Sequence, residues 1–161
     1  MLLPAALSAA DHVSVIKREV GKCAVAWQRN DYEKVLGYLP PRVIQQRGGR
    51  AATLREIKEQ FAQARDLGAE RLEALPGRIA PPKQVGSWLT SLIPLTAILH
   101  SAHLDLTQET HVLALSSDQG KKWFFVLLYE ISQAELNAWF PEFKGKIVVP
   151  QDPLPKIELV Y

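Results

Sequence analysis

The chain has 161 residues, 47% hydrophobic and 22% charged, with a formal net charge of +2. That length fits one domain with a single sizeable core. The near-balanced charge leaves no electrostatic footprint for nucleic acid, since Lys and Arg alternate with Glu and Asp, as in "REIKEQFAQARD" (55–66), the pattern of a solvated helix face. A single cysteine, Cys23, excludes an intrachain disulfide.

The N-terminus, "MLLPAALSAADH", is apolar from Leu2 to Leu7 and carries the small residues of an export cleavage site at Ser8-Ala9-Ala10. No basic residue precedes the run, and the run is far too short to span a bilayer. Residues 1–10 are therefore either a frayed start or the remnant of an export signal. The second reading is preferred and places the protein in the periplasm or outside the cell, the cytoplasm being the alternative. Residues 11–161 form one domain.

In residues 11–28 the spacing of Val13, Ile16, Val20, Cys23 and Trp27 predicts a helix with one apolar stripe, capped by Asp11. Cys23 lies on that stripe, which makes it core filler. Asn30 caps a shorter helix, "DYEKVLGYL", stopped by Pro40-Pro41. "RVIQQ" (42–46) reads as an extended piece. After Gly48-Gly49, Thr53 and Glu56 form a capping box that opens a third helix, and Gly68 supplies its left-handed C-cap.

Beyond Gly68 the period becomes that of strands. "AERLEALPGRI" (69–79) has Pro76-Gly77 as an edge or bulge signal. "VGSWLTSLIPLTAILH" (85–100) is a long strand interrupted at Pro94, an edge or bend signal, and "LDLTQETHVLALSS" (104–117) follows it. Ser117-Asp118-Gln119-Gly120 is a turn with positive φ expected at the glycine. Lys121–Ile131 is the last strand, with Trp123, Phe125, Leu127 and Tyr129 on one face and Phe124, Val126 and Leu128 on the other. Both faces are apolar, so both must be covered, by sheet curvature, a partner subunit or the tail. Ser132 and Glu135 cap a short helix, and an extended tail runs from about residue 141. The fold class is α+β, a curved antiparallel sheet packed on N-terminal helices, with a short C-terminal helix and an extended tail.

The element order, with "WQRNDYEKVLGYLPPRVI", "GGR" before a helix, "LIPLT" inside a strand and "SSDQGKKWFFV", resembles the cystatin-like, nuclear transport factor 2-like cone superfamily, and within it an uncharacterised, often exported, bacterial branch. That superfamily includes ketosteroid isomerases, scytalone dehydratase and polyketide cyclases. The resemblance covers about residues 11–140. The branch usually carries Ser-x-Asp-Gly-Gly-Lys-x-Trp-x-Phe near its end, so Gln119 stands where a glycine is expected. The resemblance implies a cone with an open mouth, which is a natural ligand cavity, but not a chemistry, because the fold hosts enzymes, binders and assembly modules alike.

The expected function is a small-ligand-binding or protein-interaction domain without catalysis, needing no cofactor. Its partners would be a small apolar ligand or a second copy in a homodimer. Trp27, Tyr38, Trp88, Trp123, Phe125 and Tyr129 are the candidate pocket lining, although each also serves as core. The first alternative is a lyase or isomerase of the ketosteroid isomerase type, which needs a cavity carboxylate and an oxyanion donor. Its catalytic candidates are Asp105, Glu130 and Tyr129. The second alternative is an assembly module that pairs through its sheet face. His100, His103 and Asp105 spell H-x-x-H-x-D, with His111 further on. His103 and Asp105 share a strand face and are the pair a metal would use, yet a zinc site needs three or four converging ligands, and polar residues at a hairpin tip explain the cluster without one.

Overall fold

The computed structural model describes residues 5–161; most of the apolar stretch from Leu2 to Leu7 that suggests an export signal lies outside or at the edge of them. The chain is α+β, with N-terminal helices and a strongly curved antiparallel half-barrel sheet.

Helix α1 (Ala9–Gln28) starts earlier than Asp11. Ser8 is the N-cap, and its hydroxyl accepts from the Asp11 amide while the Asp11 carboxylate accepts from the Ser8 amide. Asp11 is thus the third residue of a capping box rather than the cap. The stripe buries Ile16, Val20 and Cys23. Asn30 takes a left-handed φ of 56°, and the cap of α2 (Tyr32–Gly37) is Asp31. "RVIQQ" is helical, not extended. Helix α3 (Pro41–Gln46) has Pro41 in its first turn, where the missing amide is no loss and the fixed φ suits a helix. Helix α4 (Arg50–Asp66) begins at Gly49 (φ 98°), ahead of the expected Thr53 cap. Thr53 is instead inside the first turn, and its buried hydroxyl donates to the Gly49 carbonyl at 2.8 Å. Gly68 does take the left-handed conformation after α4, at φ 91°.

The sheet comprises β1 (Ala69–Pro76), β2 (Lys83–Val85), β3 (Trp88–Ser101), β4 (Leu104–Ser116), β5 (Phe124–Leu127) and β6 (Lys156–Leu159). The two long strands β3 and β4 form its centre. On the outer edge of β3, β2 pairs at one end and β1 at the other. On the outer edge of β4, β5 pairs with residues 112–115 and β6 with residues 104–107. Pro94 falls in the gap between β2 and β1. Its carbonyl accepts from Gly77 on that edge at 2.7 Å, so its nitrogen faces the same gap and no ladder bond is lost. The last strand is shorter than Lys121–Ile131. The Phe125 amide is taken by the Tyr38 carbonyl at 2.8 Å, and Glu130, at φ 58°, turns the chain away.

The β5 side chains divide as their alternation requires. Trp123 and Phe125, 3% and 4% exposed, join Ile93, Val112 and Ala114 beneath α1. Phe124, Val126 and Leu128 join Leu113 and Leu115 on the opposite face. That face is covered by helix α5 (Gln133–Trp139), the single 3-10 turn Pro141–Phe143, Val43 of α3 and the tail residues Ile147 and Val149. The chain covers both faces of this end of the sheet from its own length. A third cluster, built on Val35, Leu36 and Ile57, holds the helices together.

A polar tie fastens α3 to the outer layer. Arg42 donates to the Glu142 carboxylate at 2.7 Å, and the Trp88 indole N–H donates to the same oxygen at 2.8 Å. The guanidinium also lies over the Trp88 and Phe140 rings. Burial alone would raise the Glu142 carboxyl; its own backbone amide, Arg42 and Trp88 outweigh that and hold it below its ordinary value.

Candidate functional site

In the turn before β5, Ser116 donates to Asp118, Asp118 accepts from the Lys122 amide, and Gly120 donates its amide to Ser116. Gly120 has φ 86°, and a Cβ there would lie 2.4 Å from the His12 ring, so both the turn and α1 require glycine. Gln119 is also left-handed, at φ 62°.

The six candidate lining aromatics do not surround one cavity. Trp27 stacks on Phe61 at 5.1 Å, Tyr38 leans on Phe125 at 5.7 Å, and Trp88 meets Phe140 edge-on at 5.5 Å. Trp123 lies edge-on to His12 at 6.1 Å. Trp88 belongs to one core cluster and Trp123 and Phe125 to the other, on opposite faces of the sheet. Two concavities stand out among the described residues, and both are open grooves. One, ≈ 500 Å³, is lined by α4 alone. The other, ≈ 330 Å³, lies where β4 has no strand partner between β5 and β6, and Tyr129 is the only one of the six that borders it.

That second groove brings Tyr129 and Glu130 together with Asp152 and a proline-rich wall, Pro150, Pro153 and Pro155. Gln108 and Thr110 tie the tail across it, Gln108 donating to the Pro153 carbonyl at 2.9 Å and Thr110 to Asp152 at 2.7 Å. Partial burial, then the neighbouring charges of Glu130 and Asp152, raise the Tyr129 hydroxyl above its ordinary value and keep it protonated. Tyr129 is 41% exposed and Glu130 is exposed, so water screens this acid and phenol.

Asp105 is elsewhere. It stands opposite His100 across the β3–β4 hairpin, and Glu73 reaches the same ring from β1. His100 Nδ1 lies 2.8 Å from Asp105 and Nε2 3.0 Å from Glu73. With both ring nitrogens engaged by carboxylates, the imidazolium is favoured: Glu73 and then Asp105 raise its pKa, outweighing partial burial and, less, Arg71, which lower it. The ring has no nitrogen left for a metal or a proton transfer, so the three residues make a clamp across three strands. His103 is exposed at the hairpin and outside the clamp. Among the described residues no group of three His, Cys, Asp or Glu is arranged to hold a metal ion. Glu73 was not foreseen; only the register that sets it beside His100 brings it there.

The clamp gives a signed pH dependence. His100 has a raised folded pKa, so its stabilisation is complete below the unfolded value of 6.5 and is lost as pH rises through the folded one. Thermal unfolding of the wild type and of His100→Gln checks this. The variant is expected to lose about 1 kcal/mol, or about 2–4 °C, at pH 5.5, and the gap is expected to close toward pH 9.

Cys23 is no nucleophile. It is buried, and burial pushes its thiol up to about 12. No helix among the described residues is long and apolar enough to cross a membrane.

The tail strand β6 hydrogen-bonds to β4 on one side and, among the described residues, has no strand on its other. β1, β2 and β5 also have one strand neighbour each, but among the described strands only β6 has every residue exposed. Ile157 and Leu159 are each 64% exposed, and Val160 and Tyr161 are exposed beyond them. Comparison of the chain with protein-family models, with curated proteins and with solved structures gives no match.

Proposed function

We propose that the chain is a non-catalytic interaction domain of the nuclear transport factor 2-like cone type, which works by strand contact with another polypeptide at β6. The single observation that carries this reading is an unpaired edge strand presenting large apolar side chains, on a sheet whose well-packed end is filled on both faces. An exposed apolar edge is an aggregation liability that proteins ordinarily blunt, so its retention favours use. The helix order and the curved antiparallel sheet support the cone assignment, and the apolar Leu2–Leu7 stretch supports export as part of the same proposal. A small-ligand reading draws less support, because the candidate aromatics are spent in packing.

The catalytic alternative draws on one observation, the meeting of Tyr129 with Glu130 and Asp152 in the groove beside β4. The groove's openness opposes it, since a general base of the ketosteroid isomerase type needs a water-poor site.

Titration with the apolar dye 1-anilinonaphthalene-8-sulfonate at low micromolar chain separates a tail surface from a cavity. The wild type is expected to enhance the dye's emission, and Ile157→Ser/Leu159→Ser to lose most of that gain. Both positions are largely exposed, so the double variant is expected to keep the wild-type fold within about 1 kcal/mol. Full emission from the double variant would move the apolar site away from β6 and overturn the reading.

A further inference from the structure

We infer that the partner of β6 is a second copy of this chain, paired antiparallel about a two-fold axis at Ile157. The inference rests on the reading of β6 as the contact surface and adds the identity and register of the partner.

The backbone fixes which groups face outward. The Val160 amide donates to the His103 carbonyl at 2.9 Å, so 103 and 160 are a hydrogen-bonded pair of the β4–β6 ladder. Such pairs alternate along an antiparallel ladder. With Asp105 opposite Glu158 and Thr107 opposite Lys156, those residues point their amides and carbonyls at β4. Ile157 and Leu159 point theirs to the free edge. In a pairing centred on Ile157, each Ile157 amide meets the Ile157 carbonyl of the other copy, and each Leu159 amide meets the Pro155 carbonyl. Pro155 has no amide, so in this register it accepts from Leu159 but leaves each Leu159 carbonyl to water in place of a ladder donor.

Charge selects the same register. Glu158 stands directly across from Asp105, a like-charge pair that disfavours the strand contact, and among the described residues Glu158 has no ion-pair partner. Pairing about Ile157 places Lys156 of the second copy opposite Glu158, and the symmetry does this twice. Pairing about Glu158 would set the two Glu158 side chains against each other, and pairing about Leu159 would set Glu158 against Val160.

The apolar side agrees. Leu72, Leu99, Leu106 and Ile157 are successive cross-strand neighbours over β1, β3, β4 and β6, forming one row on one face of the sheet. The two-fold axis continues that row through Ile157 into the other copy, giving a sheet that runs unbroken from β1 of one chain to β1 of the other. The contact is closed, because each chain uses its one free β6 edge once. An interface of a single short strand is small, so the dimer is expected to be weak and reversible.

Sedimentation equilibrium from about 10 µM to about 1 mM tests it, with full-length wild type, Lys156→Glu, Glu158→Lys and the double exchange Lys156→Glu/Glu158→Lys. Wild type is expected to show a monomer–dimer equilibrium. Each single reversal opposes like charges twice and is expected to weaken association about tenfold, and the double exchange to restore it. None of these changes touches the core, and Glu158→Lys relieves the contact with Asp105, so the monomer stays folded. A wild type that remains monomeric to about 1 mM overturns the second-copy assignment, as does a dimer indifferent to the reversals or not rescued by the exchange. If the dye response at β6 persists in that monomer, the contact surface stands and only its occupant is refuted; if the dye response is also indifferent to Ile157 and Leu159, the underlying reading fails with it.

Discussion

Phe125→Ala is expected to destabilise the chain by about 3–5 kcal/mol, a large part of the roughly 5–15 kcal/mol that holds a domain together. Phe125 is 4% exposed at the middle of the cluster under α1, among Ile16, Val20, Cys23, Val112 and Ala114. Its ring also leans on Tyr38, whose carbonyl takes the Phe125 amide. Removing the ring opens a cavity between a helix and a sheet that are both anchored elsewhere, so collapse can recover little. Urea unfolding monitored by far-ultraviolet circular dichroism reads the loss as a shift in midpoint. Phe125→Leu, which keeps most of the volume, is expected to lose less than half as much.

Phe140→Ala is expected to be as costly, about 3–5 kcal/mol, from the other side of the sheet. Phe140 is fully buried, stacked on Phe143 at 4.9 Å and edge-on to Trp88. Arg42 lies over its ring at 5.5 Å. The substitution therefore removes apolar burial, two aromatic contacts and the seat of the guanidinium that holds Glu142. The fluorescence of Trp88 offers a second readout, because the indole N–H is tied to that carboxylate.

Much of this architecture was legible in the residues. The stripe of α1, the glycines at 68 and 120, the edge position of Pro94, the hairpin between β3 and β4 and the capping box of Ser132 with Glu135 all follow from local chemistry. So did the two apolar faces of the segment after Lys122, and the tail as one of the covers for the second face. Local reasoning failed where a distant contact decides. Val43 and Ile44 are β-branched and suggest a strand, but Pro41 starts a helix and Val43 is buried in the outer cluster. The last strand stops at Leu127 and the left-handed Glu130 turns the chain away, while the outward amide of Phe125 goes to Tyr38, a partner that the segment itself does not show. Gln119 shows the opposite case: its left-handed φ is a conformation that glycine adopts without strain, and the motif named glycine there.

Site residues were harder to place than elements. H-x-x-H-x-D marked a real cluster, but its third member is Glu73, 27 residues before His100, and its outcome is a charge clamp. Tyr129 and Glu130 are neighbours in sequence, while Asp152, which completes their groove, arrives with the tail. The β6 edge was legible only as an extended apolar piece. Which side of it faces β4, and so which amides are free, depends on the register with residues 104–107.

The measurement closest to the centre of this account is urea unfolding of the full chain carrying Phe125→Ala or Phe140→Ala, with the matching Leu variants run beside them. If the sheet is filled on both faces by this chain alone, each Ala variant loses about 3–5 kcal/mol, and the paired Leu losses add within about 0.5 kcal/mol because the two clusters share no partner. A loss below about 1 kcal/mol for either Ala variant would mean that one flank of the sheet stands open, and would contradict the account.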